Sequence, residues 1–175
     1  MRISHLRKYA FAAVFSLCSI PVFAQTAPAG CRLEVVEGSG RHILHCPEGL
    51  TVTAEAGARF ELLDRNGDKV LDTVRLRDKA VLVDVPRGRI GSGFQVVTPQ
   101  AIAAVRGTRW AVDVKDGTTA VFVVRGRVSV RRPQSAASVV LDPGEGVNVG
   151  VGAAPLAVHR WSAQTAAALL ARLGE

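Results

Sequence analysis

Between Phe94 and Arg132 apolar and polar side chains alternate in short runs, each cut off by a turn. Phe94–Thr98 ends at Thr98-Pro99, Ala104–Val105 leads into Arg106-Gly107-Thr108, and Trp110–Val114 keeps a period of two up to Lys115-Asp116-Gly117. That period sends alternate side chains to opposite faces, the pattern of a half-buried strand. Asp116-Gly117 accepts the positive φ that a type I′ hairpin turn requires. Thr119–Val124 follows, and Arg125-Gly126-Arg127 turns the chain into Val128–Val130. Leu50–Ala54, Arg59–Leu63, Val70–Leu76 and Val147–Gly152 read as further strands.

Only the tail changes period. Ser162 reads as the N-cap of a helix over Ala163–Leu173 that Gly174 stops. Ala166, Leu169, Leu170 and Leu173 make one apolar stripe, suited to docking on the β body, with a dimer contact as the alternative. The expected fold is all-β, with short strands in a solenoid-like or sandwich stack, an N-terminal hairpin and one C-terminal helix. A weak internal repeat favours neither arrangement. AVLVDVPRGRI from Ala80 resembles AVFVVRGRV from Ala120, with Gly88 matching Gly126. Composition agrees with sheet: the chain is 48% hydrophobic but only 5% aromatic, so Val and Ala carry the apolar fraction.

Residues 1–24 read as a secretory signal peptide. Arg2, Arg7 and Lys8 precede an apolar run from Tyr9 to Phe23, and Val22-Phe23-Ala24 places cleavage after Ala24. The run is shorter than the roughly 20 residues of a spanning helix, so no stable membrane span is expected after cleavage. Lipid anchoring through Cys31, which follows Ala29-Gly30, is the alternative. The expected location is periplasmic or secreted. Loss of the leader leaves 19 Lys and Arg against 15 Asp and Glu, reducing the net charge from +7 to +4. Basic residues lie scattered through turns, at Arg87, Arg89, Arg106, Arg109, Arg125, Arg127, Arg131 and Arg132. That scatter reads as a solvated basic face and not as a nucleic-acid site; the sharper reading is a surface for anionic envelope material or an acidic protein.

Two cysteines remain in the mature chain, Cys31 and Cys46. If Gly38-Ser39 is the loop of a hairpin, facing residues have numbers that add to 77, and the two cysteines stand opposite each other. Facing positions on antiparallel strands bring Cβ atoms near disulfide range, so a Cys31–Cys46 bond is expected in an oxidising compartment.

Catalytic chemistry has little support. Asp64-Arg65-Asn66-Gly67-Asp68 alternates oxygens, but its Gly stands at loop position four, not six, and Arg75 at position twelve, not a Glu. It reads as a hairpin turn. His42 and His45, three apart in a strand, fall on opposite faces and share no metal site. No nucleophile elbow or phosphate loop is present, so neither enzyme activity nor a cofactor is expected.

Several of these residues together resemble the FecR domain of bacterial envelope regulators. They are Val97-Thr98-Pro99, Ala104-Val105-Arg106-Gly107-Thr108 with Trp110, Val112-Asp113-Val114, Asp116-Gly117-Thr118, Arg125-Gly126-Arg127-Val128 and Leu141-Asp142-Pro143-Gly144-Glu145. The resemblance spans Phe94–Val149, and residues 50–93 are compatible with the leading half of the same domain. It implies an all-β, non-catalytic protein-interaction or signalling module. Signalling members carry a sigma-factor-binding segment and a membrane span first; here eight residues precede the apolar run, so direct control of a cytoplasmic sigma factor is not expected. The chain thus divides into signal peptide 1–24, disulfide-linked hairpin 25–49, FecR-like β domain 50–152, and loop with helix 153–175. Arg106, Arg109, Arg125 and Arg127 are the candidate contact residues. Thr98, Pro99, Gly107, Thr108, Trp110, Asp116, Gly117, Gly126 and Gly144 read as structural. The expected partner is an envelope protein; a structural role binding surface glycan or peptidoglycan is the alternative.

Overall fold

The computed structural model describes residues 30–88 and 93–175. The expected leader, Arg89 and Ile90 lie outside the described residues. The chain forms β1 (Arg32–Val36), β2 (Arg41–His45), β3 (Thr51–Ala54), β4 (Arg59–Leu63), β5 (Thr73–Asp84), β6 (Phe94–Val97) and β7 (Ile102–Val105). It continues through β8 (Arg109–Lys115), β9 (Thr118–Arg125), β10 (Val128–Arg131), β11 (Ser138–Leu141), β12 (Glu145–Val149), β13 (Val158–Arg160) and the helix α1 (Ala163–Arg172).

Two faces of β structure share the long strand β5. Its second half pairs with β3 and β8, and the first sheet runs β1-β2-β3-β5-β8-β9-β12-β13. Its first half pairs with β4 and, in parallel, with β6, and the second sheet runs β4-β5-β6-β7-β10-β11. The bend between the halves falls where the β4 register shifts opposite Leu76–Asp78 and where Lys79 takes φ +64°. The result is a nearly closed, barrel-like sandwich; among the described strands only β5 and β6 pair in parallel. Val70–Leu76 and Ala80–Val85, read as separate runs, therefore belong largely to one strand.

Period two explains the interior. Val81, Val83, Trp110, Val112, Val121 and Val123 of the first sheet face Val74, Leu76, Phe94, Val96, Val128 and Val130 of the second, all of them buried. Trp110 is fully buried, edge-on to Phe94 with ring centroids 6.1 Å apart. The repeat also finds its meaning here. Ala80–Val83 and Ala120–Val123 flank β8 on its two sides, aligned residue for residue across it. They are equivalent because they pack against the same strand, not because they are successive rungs.

The β1–β2 hairpin keeps the expected register. Arg32 faces His45 and Val36 faces Arg41, so the loop is the four residues 37–40 and not two. Cys31 and Cys46 are joined with their Cα atoms 4.1 Å apart.

Helix α1 docks on the outer face of the first sheet. Ser162 caps it by accepting the Thr165 amide at 3.1 Å. Leu169 and Leu173 are buried on Ala80, Leu82, Ala111 and Phe122, with Ala166 and Leu170 at the margin. Each such leucine contributes about 1.5–3 kcal/mol when taken from water. Trp161 stacks on Phe122 at 5.0 Å, and the space for its indole exists because residue 146 is Gly: a Cβ there would overlap the indole and sit 2.7 Å from the Val121 carbonyl.

Arg172 clamps the helix to the sheet. It donates to Asp113 Oδ2 at 2.6 Å and to Glu55 Oε2 at 2.6 Å. Its hydrogen bonds to Asp113, then to Glu55, push the guanidinium above its ordinary range and keep it charged. Burial alone would raise the Glu55 carboxyl, but hydrogen bonding and charge from Arg172, with the Ala80 amide, outweigh it and hold that carboxyl below its ordinary 4.5. A folded value below the unfolded one means that this stabilisation is complete above pH 4.5 and is lost as pH falls through the folded value. Arg172 is partly exposed, which limits the gain. Arg172→Met is expected to cost about 1–2 kcal/mol near pH 7 in urea unfolding, with the gap to wild type narrowing below the ordinary carboxylate range. A gap of the same size at low pH would contradict the clamp.

Candidate interaction surface

The chain crosses from one sheet to the other at a common end. β5 passes to β6, β7 to β8 through Arg106-Gly107-Thr108, β9 to β10 through Gly126-Arg127, and β11 to β12 through Asp142-Pro143-Gly144. Strand pairing aligns these crossings, since Asp84 faces Arg109, Arg109 faces Arg125, Val105 faces Val128 and Val128 faces Leu141. The crossings are bonded to one another. The Thr108 hydroxyl donates to the Arg127 carbonyl at 3.1 Å, the Val85 amide to the Thr108 carbonyl at 2.9 Å, and the Gly144 amide to the Val123 carbonyl at 2.9 Å. Gly126 has φ +87°, and a Cβ on it would lie 2.7 Å from the Thr108 hydroxyl oxygen.

The opposite end holds hairpins. Asp116 and Gly117 both have positive φ, 49° and 70°, as a type I′ turn demands. Thr98 closes its turn by accepting the Ala101 amide at 2.8 Å and lies 2.8 Å from the Thr119 hydroxyl, which itself donates to Gln100. Pro99 is at the surface of that turn, on the rim of a groove.

All four candidate arginines lie at or beside the crossing end, in unequal circumstances. Arg109 reaches the Glu175 carboxylate at 2.6 Å and Asp84 at 3.9 Å, tying the C-terminus to the sheet. Arg125 pairs with Asp84 at 2.8 Å and Arg127 with Asp142 at 2.9 Å. Arg106 is exposed and has no carboxylate partner among the described residues.

The two outer faces differ sharply. Helix α1 covers the first sheet, whereas the second carries a bare row across its strands: Gln95, Ala104, Ser129 and Val140. A shallow hollow of about 460 Å³ opens over this row, bordered by Arg65, Arg106 and Arg127. A larger groove of about 890 Å³ runs beside β11, where the two sheets part. One bank is Ala137–Val139 and the other Gly150–Leu156, held by Arg132, which donates to the Gly150 carbonyl at 2.5 Å and the Ala154 carbonyl at 2.9 Å.

The model of the FecR protein family matches residues 35–129, more than half of the chain. This chain belongs to the FecR family. Two crystal structures of a candidate anti-sigma factor from Parabacteroides distasonis ATCC 8503 share its fold, each with TM-score 0.62 and 25% identity. The alignments cover 80% and 79% of this chain and 64% of the other, so this chain spans about two thirds of the length of those it matches. No curated protein sequence matches it.

In this FecR chain the residues that carry the family likeness are chiefly joints. Gly107, Thr108 and Gly126 bind crossing to crossing, and Trp110 fills the core. The Asp64–Asp68 oxygens serve the turn itself: Asp64 accepts the Gly67 and Lys69 amides at 2.7 Å each. No group of three or more metal-ligating side chains is assembled among the described residues, and no described helix is long and apolar enough to cross a membrane. Two features escaped the sequence reading. The strand β13 lies in the stretch read as a loop before the helix, and the Arg172 clamp joins residues 117 positions apart.

Proposed function

We propose that this FecR chain is an exported, non-catalytic regulatory module that acts by binding another protein of the cell envelope. Membership of the FecR family, over a stretch that includes every residue of the crossing end from Asp84 to Arg127 that the structure describes, carries the reading. The likeness to a candidate anti-sigma factor supports a regulatory role for the β module without carrying over what that longer protein does as a whole. The Cys31–Cys46 bond supports an oxidising compartment, since such bonds are rare where thiols are kept reduced.

Arg106 is the position to probe, because Arg109 and Arg125 already hold carboxylates of this chain. With a photoreactive residue in place of Arg106 in the tagged full chain, irradiation of cells is expected to capture one envelope protein repeatedly. The mature form is expected to begin at Gln25 by intact mass. Capture of glycan alone, or no protein captured repeatedly, would overturn the reading.

A further inference from the structure

The described sheets end in four edge strands, and three of them are guarded by charge. β1 carries Arg32 and Glu34, β4 carries Arg59 and Glu61, and β13 carries His159 and Arg160. Charged side chains on an edge discourage pairing with another chain. β11 is Ser-Val-Val-Leu, with no charge and no proline. It pairs with β10 on one side, and no described strand pairs with its other side. Val140, on its outer face, is 57% exposed.

The open side of β11 is also where the molecule is hollow. The groove beside it separates Ala137–Val139 from Gly150–Leu156. Neighbouring strands lie about 4.8 Å apart, and this bank opens onto a groove of about 890 Å³. Its charge is one-sided. Arg132 is the sole ionisable residue lining the groove, and Arg131 stands opposite Ser138 on β10. Both guanidinium groups bond to carbonyls, and neither has a carboxylate partner among the described residues. Arg106 and Arg127 flank Val140 over the outer face.

We infer that the free edge of β11 receives an extended, acidic segment of a partner protein, which adds to the second sheet as a strand. The inference rests on the protein-binding reading above and places its contact. Backbone hydrogen bonds along the edge supply affinity, and the alternation of side chains supplies specificity. Positions of the added strand that share a face with Ser138 and Val140 meet Arg131 and Arg106, which hold no carboxylate among the described residues, and take Asp or Glu. Intervening positions share the face of Val139, which packs on the core, and take apolar side chains. The segment recognised is therefore proline-free, alternating acid with Val, Ile or Leu.

The test is selection of short linear peptides of random sequence on the full mature chain, followed by binding of one selected synthetic peptide. Acid–apolar alternation without proline is expected, with slowed amide exchange in Ser138–Leu141 and none in the guarded edge Arg59–Leu63. Val140→Glu and Arg131→Glu, both at the surface, each set a like charge against the acidic positions and are each expected to weaken binding about tenfold. Selected sequences lacking the alternation, affinity unchanged in both variants, or protection confined to another edge would overturn the inference. So would a wild-type dimer in sedimentation that Val140→Glu converts to monomer, since the edge would then belong to a second copy. If crosslinking from Arg106 still captures an envelope protein, the regulatory reading survives and only the assignment to β11 falls.

Discussion

Gly126→Val is expected to cost about 3–5 kcal/mol, enough to empty the folded state of a marginally stable domain. Two effects add. Residue 126 sits at φ +87°, a conformation that L side chains rarely adopt. The new Cβ would also press on the Thr108 hydroxyl at 2.7 Å and the Gly107 carbonyl at 3.1 Å. Neither neighbour has room to yield: Thr108 is fully buried and its hydroxyl is bonded to the Arg127 carbonyl. Gly117→Ala separates the two causes. Its φ is +70° but nothing lies within 4 Å of the added carbon, so only the backbone cost of about 1 kcal/mol is expected. Equal losses in urea unfolding would show that backbone conformation alone matters and that the contact between crossings does not.

Trp110→Ala is expected to lose about 3–5 kcal/mol, and Trp110→Phe less than about 1.5 kcal/mol. Truncation to Ala leaves a hole between the sheets and removes the edge contact with Phe94. Phe keeps most of the volume. It also discards the indole N–H, which is buried without a hydrogen-bond partner among the described residues, so no polar interaction is lost with it. Denaturant midpoints of both variants decide the matter. A large loss in the Phe variant would mean that the indole N–H has a partner that the core geometry does not provide.

The strands were legible where each could be read against its own turn. Trp110–Val114 alternates up to Asp116-Gly117, and the structure has β8 over Arg109–Lys115 with that hairpin following. The facing of Cys31 and Cys46 needed only a centre of symmetry in the loop, and the hairpin kept it although the loop is longer. Helix α1 announced its cap, its stripe and its stop within a dozen residues. Among the candidate contact residues the reading went less far. Residue type and turn position marked Arg106, Arg109, Arg125 and Arg127 alike, yet three of them hold carboxylates of the same chain.

What the sequence determined by itself is local: periodicity, turn chemistry, a cap and a hairpin register, each governed by interactions between residues a few positions apart. The tertiary structure alone decided which charges are already satisfied, that Gly146 makes room for Trp161, that β5 serves both sheets, and that β11 is left with an open edge. Those outcomes depend on which strands become neighbours. Glu55 meets Arg172 across 117 residues and Arg109 meets Glu175 at the chain's end, and no spacing along the chain encodes either encounter. Burying the Val-rich faces against one another brings the crossings to one end, and that packing selects the arginines that stay free.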